Sequence, residues 1–299
     1  MDKIPFYTGF QGDLTPIVYQ IEVTNRCNLS CPKCYRKDTP QVPRDLTVDD
    51  LERIIENGWL DRTSYVELQM AGEPTLNPFL AEIVRRIRAL GVLVGFSTNL
   101  TTATAPVLAM PDSITISCDS MDSLAYERSR VPHLFSAFLA NLKHFLRTKR
   151  TTQFVQLQTL NTDLTQDSGG SLRSRLEEFL DGTTINGPRP LVREVPDCFY
   201  GITPPDRSLC LNPFLTVSIR ANGDVTSCCY DFGSQNKIGN AIQNPFSDMR
   251  VDFVRHQKVH YDGSGLTDVC RRCYIKSPIL FYFSMVSELL KFRSGLGLS

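Results

Sequence analysis

The sequence predicts an α/β fold: a partial parallel (β/α)6 barrel followed by a small C-terminal extension made of a β-hairpin and a helix. Three observations predict it. Apolar, β-branched stretches alternate with helical patterns up to about residue 200; a hairpin pattern replaces them beyond; and the composition is that of a globular chain without repeats or low-complexity segments. A chain of 299 residues is long for one domain, so we expect a main domain over 1–200 and an appendage over 201–299, with the boundary between Val195 and Cys210.

Six strands are expected, in order, at "IVYQIEV", "YVELQM", "VLVGFS", "SITIS", "FVQLQTL" and "PLVREV". Between them, Thr47 is placed to cap "VDDLERIIEN", with Leu51, Ile54 and Ile55 on one face and Gly58 ending it. Asn77 is placed to cap a second helix with Pro78 at its first position and Gly91 after its last, and "HLFSAFLANLKHFLRTK" is a third. In such a barrel the active site lies at the C-terminal strand ends. Further on, "CLNPFLTVSIRANGDVTSCCYDF" reads as a hairpin around Asn222-Gly223, where a two-residue turn would pair Val217 with Cys228. The late run "PILFYFSMV" is too short to span a bilayer and reads as a C-terminal helix docking on the body.

Charge excludes little but directs the reading. Thirty-two basic residues balance thirty-two acidic ones, so no overall field draws the chain toward a polyanion, and no nucleic-acid partner is expected. The start "MDKIPFYTGFQGD" lacks the apolar core of a signal peptide, so a cytoplasmic protein with no membrane partner is expected. Ten cysteines bunched at metal-ligand spacings then fit metal-bound thiolates in a reducing compartment better than disulfides.

The first group is "EVTNRCNLSCPKCYRK", with Cys27, Cys31 and Cys34 within eight residues after the first strand. A structural zinc or closed iron-sulfur site wants four protein ligands, so three cysteines leave one coordination position open. This loop, with "AGEPTL" downstream, resembles the radical S-adenosylmethionine (SAM) superfamily over the first two hundred residues. The resemblance implies that the three thiolates hold a [4Fe-4S] cluster whose free iron is chelated by the amino and carboxylate groups of SAM. Ala71, Gly72, Glu73 and Pro74 resemble that family's GGEP motif, with Ala71 in place of a glycine. Ser97, Thr98 and Asn99 of "FSTN", and Ser117 and Asp119 of "SCDS", resemble the cofactor-lining ends of the third and fourth strands. Lys33 departs from the family, which usually has an aromatic residue beside the last cysteine.

The second group is Cys210, Cys228 and the Cys270-x2-Cys273 pair. Four cysteines close a site, and spacing alone admits zinc or iron. The expected pairing puts Cys228 on the face of Val217 and Ile219 and Cys229 on the more polar face, which makes Cys228 the expected ligand unless a bulge reverses the assignment. "NGDVTSCC" followed by Cys-x2-Cys resembles the shortened SPASM, or Twitch, extension, which implies a second iron-sulfur cluster, also [4Fe-4S]. Strand alternation sets Cys118 with Ile114 and Ile116 in buried packing. Cys198 and Cys229 remain as inert thiols or hydrogen-atom donors, and His133, His144, His256 and His260 are read as showing no metal spacing.

The overall plan resembles the aminocyclitol dehydrogenases of antibiotic biosynthesis, the 2-deoxy-scyllo-inosamine dehydrogenase type. That implies reductive cleavage of SAM and oxidation of a small polar substrate, with a flavodoxin- or ferredoxin-type reductant. A radical epimerase on a sugar or peptide, a peptide maturase and a non-enzymatic electron carrier are the alternatives. Only twenty-six residues precede Cys27, few for the leader-binding domain of many maturases, and an electron carrier would need no pocket built from "AGEP" and "STN".

Overall fold

The six β-branched runs form six strands, and each pairs in parallel with the next. The computed structural model describes residues 18–32, 34, 36, 39, 41–60, 65–102, 105–161, 172–196, 210, 212–226, 228–263, 265–271 and 278–298. Its elements are β1 (Val18–Ile21), α1 (Val48–Glu56), β2 (Tyr65–Glu67), a 3-10 turn (Pro74–Leu76), α2 (Leu80–Ala89), β3 (Leu93–Thr98), α3 (Ala105–Leu108), β4 (Ser113–Ser117), α4 (Ser123–Ser129), α5 (Phe135–Thr148), β5 (Phe154–Asn161), α6 (Leu172–Asp181) and β6 (Leu191–Pro196). There follow α7 (Asn212–Leu215), β7 (Thr216–Ile219), β8 (Asp224–Thr226), β9 (Lys237–Asn240), α8 (Phe246–Asp262), α9 (Asp268–Arg271) and α10 (Pro278–Gly295).

The nine strands of the described residues form one open sheet in the order β6-β5-β4-β3-β2-β1-β7-β8-β9. β7 runs parallel to β1, Val18 opposite Thr216 and Ile21 opposite Ile219, and thereby satisfies the edge of β1 that β2 leaves free. The C-terminal hairpin therefore continues the barrel sheet. Arg44 Nε donates to the Ala221 carbonyl at 2.8 Å, and Trp59 Nε1 donates to the Asn244 carbonyl at 2.9 Å, tying the hairpin side to the flanks of α1. The 200/201 boundary lies outside the described residues.

The sheet's two faces differ in chemistry. Tyr19, Ile21, Val66, Phe96, Ile116 and Leu157 pack against the helix layer in one apolar cluster. Period-two alternation sends their neighbours to the inner face. There Val18, Tyr65 and Phe154 form a small apolar cluster with Val286 and Leu289 of α10, and the Phe154 and Phe292 rings lie 5.7 Å apart. Because these three residues begin β1, β2 and β5, α10 closes the N-terminal end of the barrel. Above that plug the inner face is polar and buried: Gln20, Glu67, Thr115, Gln156, Ser218 and Arg220 are each at most 4 % exposed.

Two local expectations change. Thr47 and Asp50 do form a reciprocal capping box on α1. The second helix begins regularly only at Leu80, while Asn77 Oδ1 accepts from Phe79 N at 2.7 Å across the preceding turn. At the hairpin, Ser218 faces Thr226 and Ile219 faces Val225, one residue away from the expected pairing of Val217 with Cys228. The reason is a wider turn: Arg220 N bonds Asp224 O and Gly223 N bonds Arg220 O, each at 2.8 Å, with Gly223 at φ 85°. β8 then ends at Thr226, so the strand-face argument for choosing between Cys228 and Cys229 fails.

Candidate functional site

The loop after β1 carries Cys27, Cys31 and Cys34 as free, half-buried thiols at the C-terminal end of the sheet. It is held by charge-assisted bonds. Arg26 Nη2 reaches Asp45 at 2.6 Å and the Leu76 carbonyl at 2.8 Å, while Thr24 Oγ1 donates to Asp45 at 2.6 Å. The Ala71–Pro74 segment sits directly on this loop. Glu73 N donates to Arg26 O at 2.8 Å, and a Cβ on Gly72 would stand 2.7 Å from that same oxygen, so only glycine allows the approach.

Glu73 then locks the segment to the end of β3. Its Oε1 accepts from Thr98 Oγ1 and from Thr75 Oγ1, both at 2.7 Å, and its Oε2 accepts from Asn99 N at 2.8 Å. Asn99 Nδ2 approaches Cys27 Sγ at 4.0 Å, and Leu29 N donates to the same sulfur at 3.4 Å. Ala71 N donates to Glu22 Oε1 at 3.3 Å. Ser97 is turned deeper, donating to Glu67 Oε1 at 3.2 Å.

Asp119, beyond β4, is held by Arg130, with Nε 2.6 Å from Oδ2 and Nη2 2.8 Å from Oδ1. Arg130 also lies beside Cys31, whose thiol burial pushes up and this guanidinium pulls back down. Burial likewise raises the Cys27 thiol, helped by nearby Glu73 and Cys31. Arg130 is thus a cation of this site that sequence reasoning missed; nothing in its spacing from Asp119 marks it. Ser117 is half-buried at the end of β4. Cys118 points the other way, fully buried, with its thiol pushed well up by desolvation.

A second group gathers beyond β8. Asn212 Nδ2 donates to Cys228 Sγ at 3.3 Å, and Asn236 Nδ2 donates to Cys270 Sγ at 3.4 Å. Cys228 is near enough to Cys270 to raise its thiol electrostatically. Cys229 is buried and its thiol bonds Cys228, which together with burial pushes the Cys228 thiol up. Cys210 is half-buried. Cys198, Cys273 and Lys33 lie outside the described residues. His260, which showed no metal spacing on its own, stands with Nε2 3.3 Å from Cys270 Sγ. The overlooked signal is the i,i+4 pair His256 and His260 on one helix, since such residues share a face.

The donor chemistry of both groups fits iron-sulfur clusters. Amide N–H groups aimed at sulfur suit thiolate acceptors, the state in which cysteine binds iron. Among the described residues no three His, Cys, Asp or Glu side chains close on a point as ligands of a single metal ion would. A cluster makes no such demand, because each thiolate takes its own iron.

Comparison with known proteins agrees with this geometry. The Radical SAM superfamily model matches residues 21–160, and the SPASM iron-sulfur cluster-binding domain model matches residues 210–274. The chain is 32 % identical over 93 residues to the tungsten-containing aldehyde ferredoxin oxidoreductase cofactor-modifying protein of Pyrococcus furiosus, covering 29 % of this chain and 25 % of that protein. It spans between 17 % and 36 % of the length of the curated relatives that it matches. Among solved structures, Streptococcus suis SuiB is similar with a TM-score of 0.60 at 14 % identity, over 79 % of this chain and 66 % of that one. BtrN in complex with AdoMet and 2-DOIA is similar with a TM-score of 0.54 at 16 % identity, over 92 % and 95 %. At such identities the likeness is one of fold, a partial barrel. The chain carries a Radical SAM domain and a SPASM domain, so its cofactors are SAM, a [4Fe-4S] cluster and an additional iron-sulfur cluster.

Proposed function

We propose that this chain is a radical SAM oxidoreductase that oxidises a small polar substrate held on the inner face of the sheet. The observation that carries this reading is a set of buried polar atoms without partners. Among the described residues, Gln156 Nε2 and Oε1, Gln20 Nε2, and Arg220 Nη1 and Nη2 have no hydrogen-bond partner. Each such group costs about 1–3 kcal/mol when left unmet. A polar substrate, or water that it displaces, meets that cost.

In this reading Cys27, Cys31 and Cys34 hold the first cluster, and Cys210, Cys228, Cys270 and Cys273 are assigned to the second. Ala71, Gly72, Glu73, Pro74, Thr98, Asn99, Ser117 and Asp119, with Arg130 behind Asp119, form the SAM pocket; Ser97 supports it from below. When bound, these groups would supply one-electron chemistry: reductive cleavage of SAM, hydrogen abstraction from a substrate carbon, and an acceptor for the second electron of an oxidation. The chain's own residues orient the substrate and keep water out. Glu67, whose carboxyl burial pushes up to about 7, can hold or release a proton on the inner face near neutral pH. A flavodoxin- or ferredoxin-type reductant, in the cytoplasm, completes the reading.

The test is stoichiometry in heavy water. Anaerobically reconstituted protein, given polyhydroxylated and amino-substituted cyclic alcohols, should consume one SAM per carbonyl formed and leave no solvent deuterium in the product. An inverted carbon carrying deuterium, lost in Cys198→Ala or Cys229→Ala, would establish epimerisation instead.

A further inference from the structure

The buried guanidinium of Arg220 is only partly used. Its Nε lies 3.2 Å from Glu22 Oε2, yet among the described residues neither Nη1 nor Nη2 has a hydrogen-bond partner. Glu22 does not depend on that one contact, because Ala71 N donates to its Oε1 at 3.3 Å and Ala221 N to its Oε2 at 3.1 Å. Its charge is thus shared with two backbone N–H groups, and the hydrogens on both Nη atoms stay unmet. The Phe232 ring lies over the guanidinium with its centroid 5.5 Å from Cζ, which fixes the plane of the fork.

Other unmet amide groups face the same way. Strand register sets Gln20, Glu67 and Gly95 at one level of the sheet and Ser97, Thr115 and Gln156 two residues further on, the step that on β1 reaches Glu22 beside Arg220. Gln20 Oε1 accepts from Ser218 Oγ at 2.9 Å while its Nε2 is unmet, and Gln156 leaves both amide atoms unmet. Period-two alternation sends all three side chains to the inner face, so a cation and two amides lie on one buried surface.

We propose that Arg220 is the subsite for a carboxylate of the substrate, held by Nη1 and Nη2 as a fork. This rests on the reading that the substrate lies on the inner face, and it narrows the substrate class to alcohols that carry a carboxylate. The fork matches two oxygens of one group, whereas a hydroxyl or an amide carbonyl offers one. An ammonium group would be repelled here, so the fork selects against a substrate amine. A phosphate brings up to about two negative charges to a single cation that already stands beside Glu22, whereas a carboxylate brings one. Pairing with a carboxylate also relieves the cost of a buried cation with unmet donors.

The experiment uses the full reconstituted chain with SAM and two matched acid–amide pairs: glucuronate with glucuronamide, and acetate with acetamide as a pair small enough for any site. Glucosamine and glucose 6-phosphate complete the set, and binding is read by calorimetry and by the melting temperature at equal ionic strength. In each pair the acid should bind at least about tenfold more tightly than its amide. Glucosamine and glucose 6-phosphate should bind more weakly than glucuronate. Arg220→Lys keeps a cation beside Glu22 but removes the fork; it should erase the acid preference and leave SAM affinity unchanged. No acid–amide difference in either pair, or one that survives Arg220→Lys, overturns the proposal, and the comparison in the parent decides even if the variant does not fold. Tighter binding of glucose 6-phosphate than of glucuronate, or SAM affinity lost in Arg220→Lys, also overturns it, because the fork then serves a phosphate or the cofactor. A carbonyl formed from neutral or amino alcohols without any acid preference keeps the oxidation reading and refutes the subsite alone. An acid preference that depends on Arg220, with no carbonyl formed from any alcohol tested, keeps the subsite and counts against the oxidation.

Discussion

Glu67 carries a titration that stability measurements can read. Its carboxyl is buried on the inner face, accepts from the Tyr65 and Ser97 hydroxyls, and is pushed from 4.5 to about 7 chiefly by desolvation. Below about pH 4.5 both folded and unfolded chains hold this proton. Between about 4.5 and 7 only the folded chain does, so unfolding releases it and stability falls as pH rises. Above pH 7 the loss levels off at about 3 kcal/mol. Glu67→Gln keeps an acceptor but no titration. Its melting temperature should overtake that of the parent between about pH 5 and 8, and parallel curves across that range would show that Glu67 does not titrate as argued. The sequence offered no direct sign of this shift, because the desolvation comes from strands far apart in the chain.

At the scale of elements, a buried ion pair reinforces the strand pairing of β1 with β7. Arg220 Nε lies 3.2 Å from Glu22 Oε2, both side chains at most 3 % exposed, and Glu22 also accepts from Ala71 N and Ala221 N. The pair therefore ties the hairpin to the Ala71–Pro74 segment. Burial raises the Glu22 carboxyl, and Arg220 opposes that rise. Arg220→Leu leaves a buried carboxylate uncompensated and should cost about 3–5 kcal/mol. Adding Glu22→Gln should recover part of it, as read from denaturant midpoints. If the double variant is as unstable as the sum of the two single ones, Glu22 and Arg220 act independently.

For the whole molecule, strand order and the first cysteine loop were legible because both are local: β-branched runs, caps and a ligand spacing survive without knowledge of tertiary contacts. The hairpin register was not, because it turned on whether Arg220 or Ala221 closes the turn. The attachment of β7 to β1 was hidden as well, being a pairing across nearly two hundred residues. Arg130 reaches Asp119 through helix placement rather than local spacing. One long-range property was nevertheless written in the strands. "VYQIE", "FVQLQ" and "TVSIR" alternate apolar with polar residues, whereas strands of a parallel sheet buried on both faces usually read as continuous apolar runs. That alternation is the polar inner face that a substrate reading requires.

The central claim is that Cys27, Cys31 and Cys34 bind the cluster that opens SAM. Its most direct measurement is 5'-deoxyadenosine formed by the anaerobically reconstituted full chain with SAM and dithionite, compared with the variant in which all three cysteines are alanine. The parent should form it, and the variant should form none while still retaining iron at the second site. Undiminished 5'-deoxyadenosine from the triple variant would contradict the account.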